Sequence, residues 1–167
     1  MSKTDENMAA AFAGESQANR KYLAFAKAAD KQSLPQVAKL FRAAAEAETV
    51  HAHGHLRAMG GIGDTLANLA AAVEGETYEF KHMYPSFIAQ AEKDERQDAL
   101  KMFRWANDVE EIHAELYTKY REAVAAGRQP EAKPMWVCSV CGNTVEGAPP
   151  DECSICGSKK SAFREVK

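Results

Sequence analysis

The chain has 167 residues, a formal net charge of −3 at pH 7 and a sequence pI of about 6.0. This length allows one sizeable core plus a small appendage. We find no basic run that would indicate a nucleic-acid partner, and no apolar run of the roughly 18 residues that a membrane span needs. The first residues, MSKTDENM, contain no apolar segment, so we expect no secretory signal and a cytoplasmic location.

Apolar residues recur at helical spacing in four segments of the chain. The first helix is expected from about Asp5 to Asp30, and the second from an N-cap at Ser33 to about Ala58. A crossing loop at residues 61–65 follows. The remaining helices are expected from about Leu66 to Glu92 and from about Arg96 to Ala126.

The third helix contains Pro85, which should kink or locally unwind it, because proline lacks an N–H and clashes with the preceding turn. From Trp136 onward the helical pattern disappears and cysteines, glycines and prolines replace it. We therefore predict a mainly α protein with three parts. These are a four-helix bundle at 1–129, a semi-stiff linker at 130–135 and a small metal-knuckle domain at 136–167.

Two short motifs of the form Glu-x-x-His repeat along the chain, and each is preceded by another glutamate at nearly the same distance. The two sets are Glu15, Glu48 and His51, and then Glu76, Glu110 and His113. Residues three apart on a helix share one face, so each motif can hold one metal ion with a carboxylate and an imidazole. The similar spacing also suggests that the bundle arose by duplication of a helix pair.

All four of these glutamates lie on apolar helix faces, where an unpaired carboxylate is costly. Their mutual repulsion requires positive charge between them. Oxygen and imidazole donors without a thiolate favour iron or manganese. A single Glu-x-x-His motif is usually a solvated surface pair. The duplicated set instead predicts a dinuclear, carboxylate-bridged metal centre.

Three further residues near these motifs allow two interpretations. Glu79 lies three positions after Glu76 and is either a fifth carboxylate of the centre or a residue at the helix edge. Tyr22 and Tyr84 are either core aromatics or hydrogen-bond partners of a metal carboxylate.

The four cysteines form two C-x-x-C-G knuckles with 11 residues between the pairs. They are Cys138, Cys141, Cys153 and Cys156. Without an export signal, this pattern indicates a tetrahedral thiolate site in a reducing compartment rather than disulfides. Zinc and a single iron ion both suit such a site. Iron is favoured because it can carry one electron to a redox-active dinuclear centre, whereas zinc cannot.

Over essentially its whole length the chain resembles the rubrerythrin family. The segments that carry the resemblance are Gly14–Tyr22, Glu48–His51, Gly75–Glu79, Met83–Pro85, Glu110–His113 and the two cysteine knuckles. The resemblance implies a ferritin-like four-helix bundle with two irons, followed by a rubredoxin-like domain with one iron in its tetracysteine site.

The resemblance also implies roles for individual residues. Glu48 and Glu110 would bridge the two irons, and Glu15 would serve one iron together with either Glu79 or His51. Glu76 and His113 would serve the other iron. Glu79 would exchange with His51 when the centre is reduced, and Tyr22 and Tyr84 would hydrogen-bond the site.

At two positions the chain departs from the family pattern. Ser154 replaces a proline that usually follows the third cysteine, and Asn143 replaces a common aromatic residue. Both departures bear on the redox potential of the tetracysteine site and leave its four ligands unchanged.

The expected function is that of a peroxidase of the NADH peroxidase type, which reduces hydrogen peroxide to water and protects against oxidative stress. Electrons would come from an external NAD(P)H-dependent reductase, from rubredoxin, or from both. We expect a homodimer in which the tetracysteine domain reaches the di-iron site of the partner subunit. The alternatives are a ferroxidase or other iron-handling protein, and a binding protein whose tail is a zinc ribbon.

Overall fold

A computed structural model describes residues 2–167, and it is mainly α-helical with a small β-sheet at the C-terminus. The helical elements are α1 (Lys3–Lys31), α2 (Pro35–Ala58), α3 (Thr65–Tyr78), a π-helical segment (Glu79–Met83), α4 (Tyr84–Lys93) and α5 (Gln97–Ala125). The strands are β1 (Met135–Cys138), β2 (Thr144–Glu146) and β3 (Phe163–Val166), with a 3₁₀ turn at Lys160–Ala162. The predicted fold class is confirmed.

The prediction that Ser33 caps the start of α2 is wrong. Ser33 has a φ of +57° and follows the last turn of α1, where the N–H of Leu34 donates to the carbonyl of Ala29 at 3.0 Å. This is the 6→1 bond of a Schellman motif, which closes a helix through a left-handed residue. Ser33 therefore ends α1. The next helix begins at Pro35, whose fixed φ suits the first helical turn.

The helix that contains Pro85 is disrupted just before the proline, as predicted, and the disruption has the form of a π-helical segment. The N–H of Tyr84 donates to the carbonyl of Glu79, five residues earlier. Proline cannot donate to the carbonyl four residues before it, so the turn preceding Pro85 widens. Such π-turns are frequent at functional sites, and this one begins at Glu79.

The chain divides into two compact units. One ends at Gly63 and the other runs from Asp64 to Lys167. In the first unit, α1 and α2 pack through small buried side chains: Ala26, Ala29, Ala38, Ala45 and Ala52. A side chain of α1 also ties the two helices together, because Asn19 donates to the carbonyl of Ala45 at 2.7 Å and to the hydroxyl of Thr49 at 2.9 Å.

In the second unit, α3, the π segment, α4 and α5 are followed by an antiparallel sheet of order β2-β1-β3. The fully buried hydrophobic residues of the sheet domain are Cys138, Cys153 and Phe163. A core this small contributes little stability, so metal binding by the cysteines must supply much of the folding free energy. Within residues 2–167, no helix is long and apolar enough to cross a membrane.

Candidate metal centres

The first carboxylate–histidine group lies on the hairpin of α1 and α2. Glu48 and His51 are one turn apart on α2, and the Nδ1 of His51 lies 3.1 Å from a carboxylate oxygen of Glu48. Glu15 on α1 approaches the same nitrogen to 4.0 Å. One donor atom from each of the three residues lies within 4.8 Å of the other two, so the three atoms could bind a single metal ion.

The second group has the same layout on α3 and α5. The Nδ1 of His113 lies 2.8 Å from a carboxylate oxygen of Glu110 and 3.8 Å from one of Glu76. The three donor atoms again lie within 4.8 Å of one another. The predicted duplication of the motif is therefore matched by a duplicated geometry.

The two groups differ in how strongly their histidines are shielded. The side chain of His51 is 55% exposed, whereas that of His113 is 26% exposed. The difference arises because His113 is covered by the C-terminal domain of the same unit, as described below.

In each group the two glutamates shift each other's pKa in opposite directions. A hydrogen bond to Glu48 raises the pKa of Glu15, and the pKa of Glu48 is lowered by that bond and by His51. Burial and a hydrogen bond to Glu110 raise the pKa of Glu76 to about 7. Burial alone would raise the pKa of Glu110, but hydrogen bonds from His113 and Glu76 bring it below its usual value.

These pairs fit a metal site on chemical grounds. The carboxylates of each pair are close enough for one to raise the pKa of the other, and a cation bound between them would remove the repulsion that contributes to this rise. The donors are oxygen and imidazole nitrogen, which suit iron. Each group supplies one histidine and two carboxylates, half of the ligand set of a di-iron centre in a helical bundle.

Glu79 begins the π segment, and Tyr84 directly follows it. Both residues interact electrostatically with glutamates of the second group. Burial and the charge of Glu110 raise the pKa of Glu79. Burial and the charges of Glu110, Glu79 and Glu76 raise the pKa of Tyr84, which therefore keeps its hydroxyl proton. Glu79 is thus a third carboxylate beside Glu76 and Glu110.

The rings of both candidate tyrosines pack in aromatic clusters. Tyr22 contacts Phe25 and Phe41 at centroid distances of 6.3 and 6.2 Å. Tyr84 contacts Phe87 and Phe103, both at 6.2 Å. The predicted hydrogen bonds from these hydroxyls to metal carboxylates stay a prediction.

The four cysteines come together in the C-terminal domain and are free thiols. The Sγ atoms of Cys138 and Cys156 are 3.7 Å apart, and those of Cys141 and Cys153 are 3.6 Å apart. These distances are far longer than a disulfide bond of about 2.05 Å. They match the edge of a tetrahedron with metal–sulfur bonds of about 2.3 Å, which is roughly 3.75 Å.

The cysteine domain is hydrogen-bonded to the second carboxylate–histidine group through residues that sequence reasoning missed. The hydroxyl of Thr144 on β2 lies 2.9 Å from Nε2 of His113 and donates to the carbonyl of Gly142 at 3.3 Å. Two residues further along β2, the carboxylate of Glu146 accepts from Tyr120 at 2.9 Å and pairs with Lys119. No local pattern marks these residues, because their partners lie 26 to 31 positions away.

The match to known families covers both parts of the chain. The family model for rubrerythrin matches residues 6–121, and the model for the rubrerythrin rubredoxin-like domain matches residues 136–164. The chain belongs to the rubrerythrin family. Its fold is accordingly the predicted ferritin-like helical bundle followed by a rubredoxin-like domain.

Individual relatives agree with this assignment. Rubrerythrin-2 of Clostridium acetobutylicum is 30% identical over 96% of this chain and 95% of its own length. Nigerythrin of Nitratidesulfovibrio vulgaris is 36% identical over 86% of this chain and 77% of its own length. The solved structure of nigerythrin in a partially reduced state matches with a TM-score of 0.59 at 32% identity, covering 99% of this chain and 88% of that chain.

The cofactors of this rubrerythrin follow from the family and the donor sets together. They are two irons bound by the carboxylate and histidine groups and one iron bound by the four cysteines. The chain is therefore a non-haem iron oxidoreductase with a second, one-electron iron site.

We predict that Thr144→Val weakens metal binding at the second group. Valine keeps the shape of threonine but cannot accept the hydrogen bond from Nε2 of His113, so the ring loses its orientation. Loss of such an outer partner typically costs about 10- to 100-fold in metal affinity. Ferrous iron titration of the full-length metal-free protein measures the effect at the carboxylate–histidine groups. Thr144→Ser, which keeps the hydroxyl, should bind iron as the native protein does, and equal loss in both variants would contradict this role.

We predict that the stability of the metal-free protein falls as pH rises from about 5 to 6.5. The pKa of Glu76 is about 7 in the folded chain against 4.5 for a free side chain, so only the folded state holds this proton in that range. Its contribution is complete below pH 4.5 and is lost as pH rises towards 7. Urea unfolding of Glu76→Gln should show a smaller pH slope than unfolding of Glu74→Gln, an exposed neighbour on α3.

The pH range of this measurement separates Glu76 from two of its neighbours. The pKa of Glu110 is lowered, so this group changes the stability at pH values below its usual pKa of 4.5. The pKa of His113 is raised, first by its hydrogen bond to Glu110, so this group changes the stability at pH values above its usual pKa of 6.5. An unchanged slope in Glu76→Gln would show that Glu76 titrates normally.

Proposed function

We propose that this rubrerythrin is a peroxidase that reduces hydrogen peroxide to water, and that it protects the cytoplasm from oxidative stress. The reaction consumes two electrons and two protons for each hydrogen peroxide and yields two waters. The observation that carries the proposal is the hydrogen bond between His113 and Thr144 of the rubredoxin-like domain, which links a one-electron site to a carboxylate–histidine group. An iron-storage protein does not need a one-electron site that delivers electrons to its metal centre.

The ligand roles are proposed by family resemblance. Glu48 and Glu110 would each bind both irons, Glu15 would bind one of them with His51 or Glu79, and Glu76 and His113 would bind the other. The four cysteines would hold the third iron. When bound, the two irons of the centre would supply the two electrons that peroxide reduction consumes. We further propose the domain limits 1–129, 130–135 and 136–167.

Glu79 is proposed as the carboxylate that changes its coordination between redox states, in exchange with His51. Two observations support this role. Burial and the charge of Glu110 raise its pKa, so its carboxylate holds a proton more readily than a free glutamate does. It also begins the π segment, where the helical hydrogen bonds are already rearranged and a small backbone adjustment is cheap.

Tyr22 and Tyr84 are proposed to hold bound peroxide or a ligand carboxylate by donating their hydroxyl protons. The raised pKa of Tyr84 ensures that this proton is present at neutral pH. Packing against Phe87 and Phe103 fixes the ring, so only the hydroxyl can turn towards its acceptor.

Electrons are proposed to enter at the tetracysteine iron from an NAD(P)H-dependent reductase, from rubredoxin, or from both. They then reach His113 through the short connection from Cys141 by way of Gly142 and Thr144. Within one chain this route is supported by the pairing of Glu146 with Lys119 and Tyr120, which holds β2 against α5. The expected transfer to the di-iron site of a partner subunit stays a prediction.

We propose a homodimer. Exposed apolar side chains on both units support association, among them Leu40 at 68% and Val50 at 66% exposure on α2, and Met102 at 53% on α5. Light scattering should give about 37 kDa, twice the 18.3 kDa of one chain. A mass of one chain would contradict the dimer, and a mass of many chains would favour an iron-storage shell.

The peroxidase proposal predicts a defect in Glu79→Ala. Fully reduced protein is mixed with hydrogen peroxide without oxygen, while absorbance follows the red colour of the oxidised tetracysteine iron. We expect rapid reoxidation in the native protein and repeated turnovers with NADH and a reductase. In Glu79→Ala, turnover should fall about 10- to 100-fold. Glu74→Ala, on the exposed face of α3, should match the native protein.

This experiment tests the coordination change, the electron transfer and the identity of the metal separately. Full turnover in Glu79→Ala would refute the coordination change and leave the peroxidase activity standing. A tetracysteine iron that stays reduced would refute electron transfer between the sites and favour iron handling. A colourless domain would show zinc in place of iron.

A further inference from the structure

The buried polar residue of this chain, within residues 2–167, is Asn143, which is 2% exposed. It follows the first cysteine knuckle directly, and its backbone carbonyl accepts from the N–H of Cys138 at 2.9 Å. Its side-chain amide points at the metal ligands, with Nδ2 lying 3.5 Å from Sγ of Cys153. The side chain is therefore in the wall of the tetracysteine site.

Burial of this amide is costly unless its hydrogen-bonding groups are paired. The side-chain oxygen of Asn143 has no hydrogen-bond partner among the described residues. The amide nitrogen does have partners, since it also lies 3.5 Å from the hydroxyl oxygen of Ser154. A hydrogen bond to an ionised thiolate is stronger than one to a neutral acceptor. This extra strength offsets the free-energy cost of burying the amide.

The two departures from the family pattern noted in the sequence thus contact each other. A proline at position 154 would offer no side-chain oxygen to the amide, and an aromatic residue at 143 would offer no amide. Ser154 holds one side of the Asn143 amide group, so the nitrogen is kept between its hydroxyl and the Cys153 sulfur. The pair acts as one polar unit beside one of the four sulfurs.

A donor at this position acts differently on the two oxidation states of the iron. Four thiolates with ferric iron carry a net charge of about −1, and with ferrous iron about −2. An N–H dipole that points at a sulfur stabilises the more negative, reduced state more strongly. Hydrogen bonds to the sulfurs are among the factors that set the potential of such sites.

We propose that the side chain of Asn143 raises the reduction potential of the tetracysteine iron and so determines which electron donors can reduce it. Asn143 is a positioning residue, because it acts through Cys153 and contacts no substrate. The inference rests on iron being the metal of this site. It does not depend on peroxide being the substrate.

The test is a redox titration of the full-length protein, followed by the visible absorbance of the tetracysteine iron. Asn143→Leu keeps a buried side chain of similar size and removes the donor. We expect its reduction equilibrium to shift at least tenfold towards the oxidised state, which is about 59 mV for one electron. Ser139→Ala, in the first knuckle but exposed, is the matched control and should leave the potential unchanged. An unchanged potential in Asn143→Leu overturns the proposal.

A second measurement keeps the proposal testable if Asn143→Leu does not fold. In native protein loaded with ¹¹³Cd at the four cysteines, scalar coupling between the metal and the Asn143 side-chain amide protons should be visible by NMR through the N–H···S bond. Absence of that coupling, with the backbone amide couplings present, overturns the proposal. This readout needs neither iron nor peroxide, so its result is independent of the peroxidase activity.

Discussion

Repulsion between carboxylates is the constraint on which the rest of this molecule depends. Glu15 with Glu48, and Glu76 with Glu110, lie close enough for one glutamate of each pair to raise the pKa of the other. A cation bound between them would remove this repulsion. The small side chains between α1 and α2 bring the helices near enough for the first pair to meet. The histidine one turn along α2 or α5 then completes a ligand group.

Much of this arrangement could be predicted from the sequence, because it depends on local geometry. The i, i+3 spacing of Glu48 and His51 fixes a shared helix face whatever the rest of the chain does. The two knuckles likewise determine a four-sulfur site. Ser33 was assigned to the wrong helix, because serine is common at N-caps while its left-handed backbone here closes α1. Pro85 indicated a disruption, but proline alone does not distinguish a kink from a π-turn.

Long-range contacts could not be predicted in the same way. Thr144 and Asn143 follow a cysteine knuckle, and nothing in their neighbourhood shows that one faces His113 and the other faces Cys153. Both contacts depend on how β2 is placed against α5 and on how the knuckles fold around the sulfurs. These adjacent residues contact different sites. Thr144 is hydrogen-bonded to a histidine of the second carboxylate–histidine group, and Asn143 donates to a sulfur of the cysteine site.

The duplicated motif therefore gives two histidines with unequal freedom to move. His113 is in contact at both ring nitrogens, with Glu110 at Nδ1 and Thr144 at Nε2. His51 is in contact with glutamates at Nδ1, and more than half of its side chain faces solvent. Rotation of the His113 ring would break its hydrogen bond to the C-terminal domain. The more exposed side chain of His51 keeps more conformational entropy. The duplicated motif thus contains one histidine held at both ring nitrogens and one held at Nδ1 alone among the described contacts.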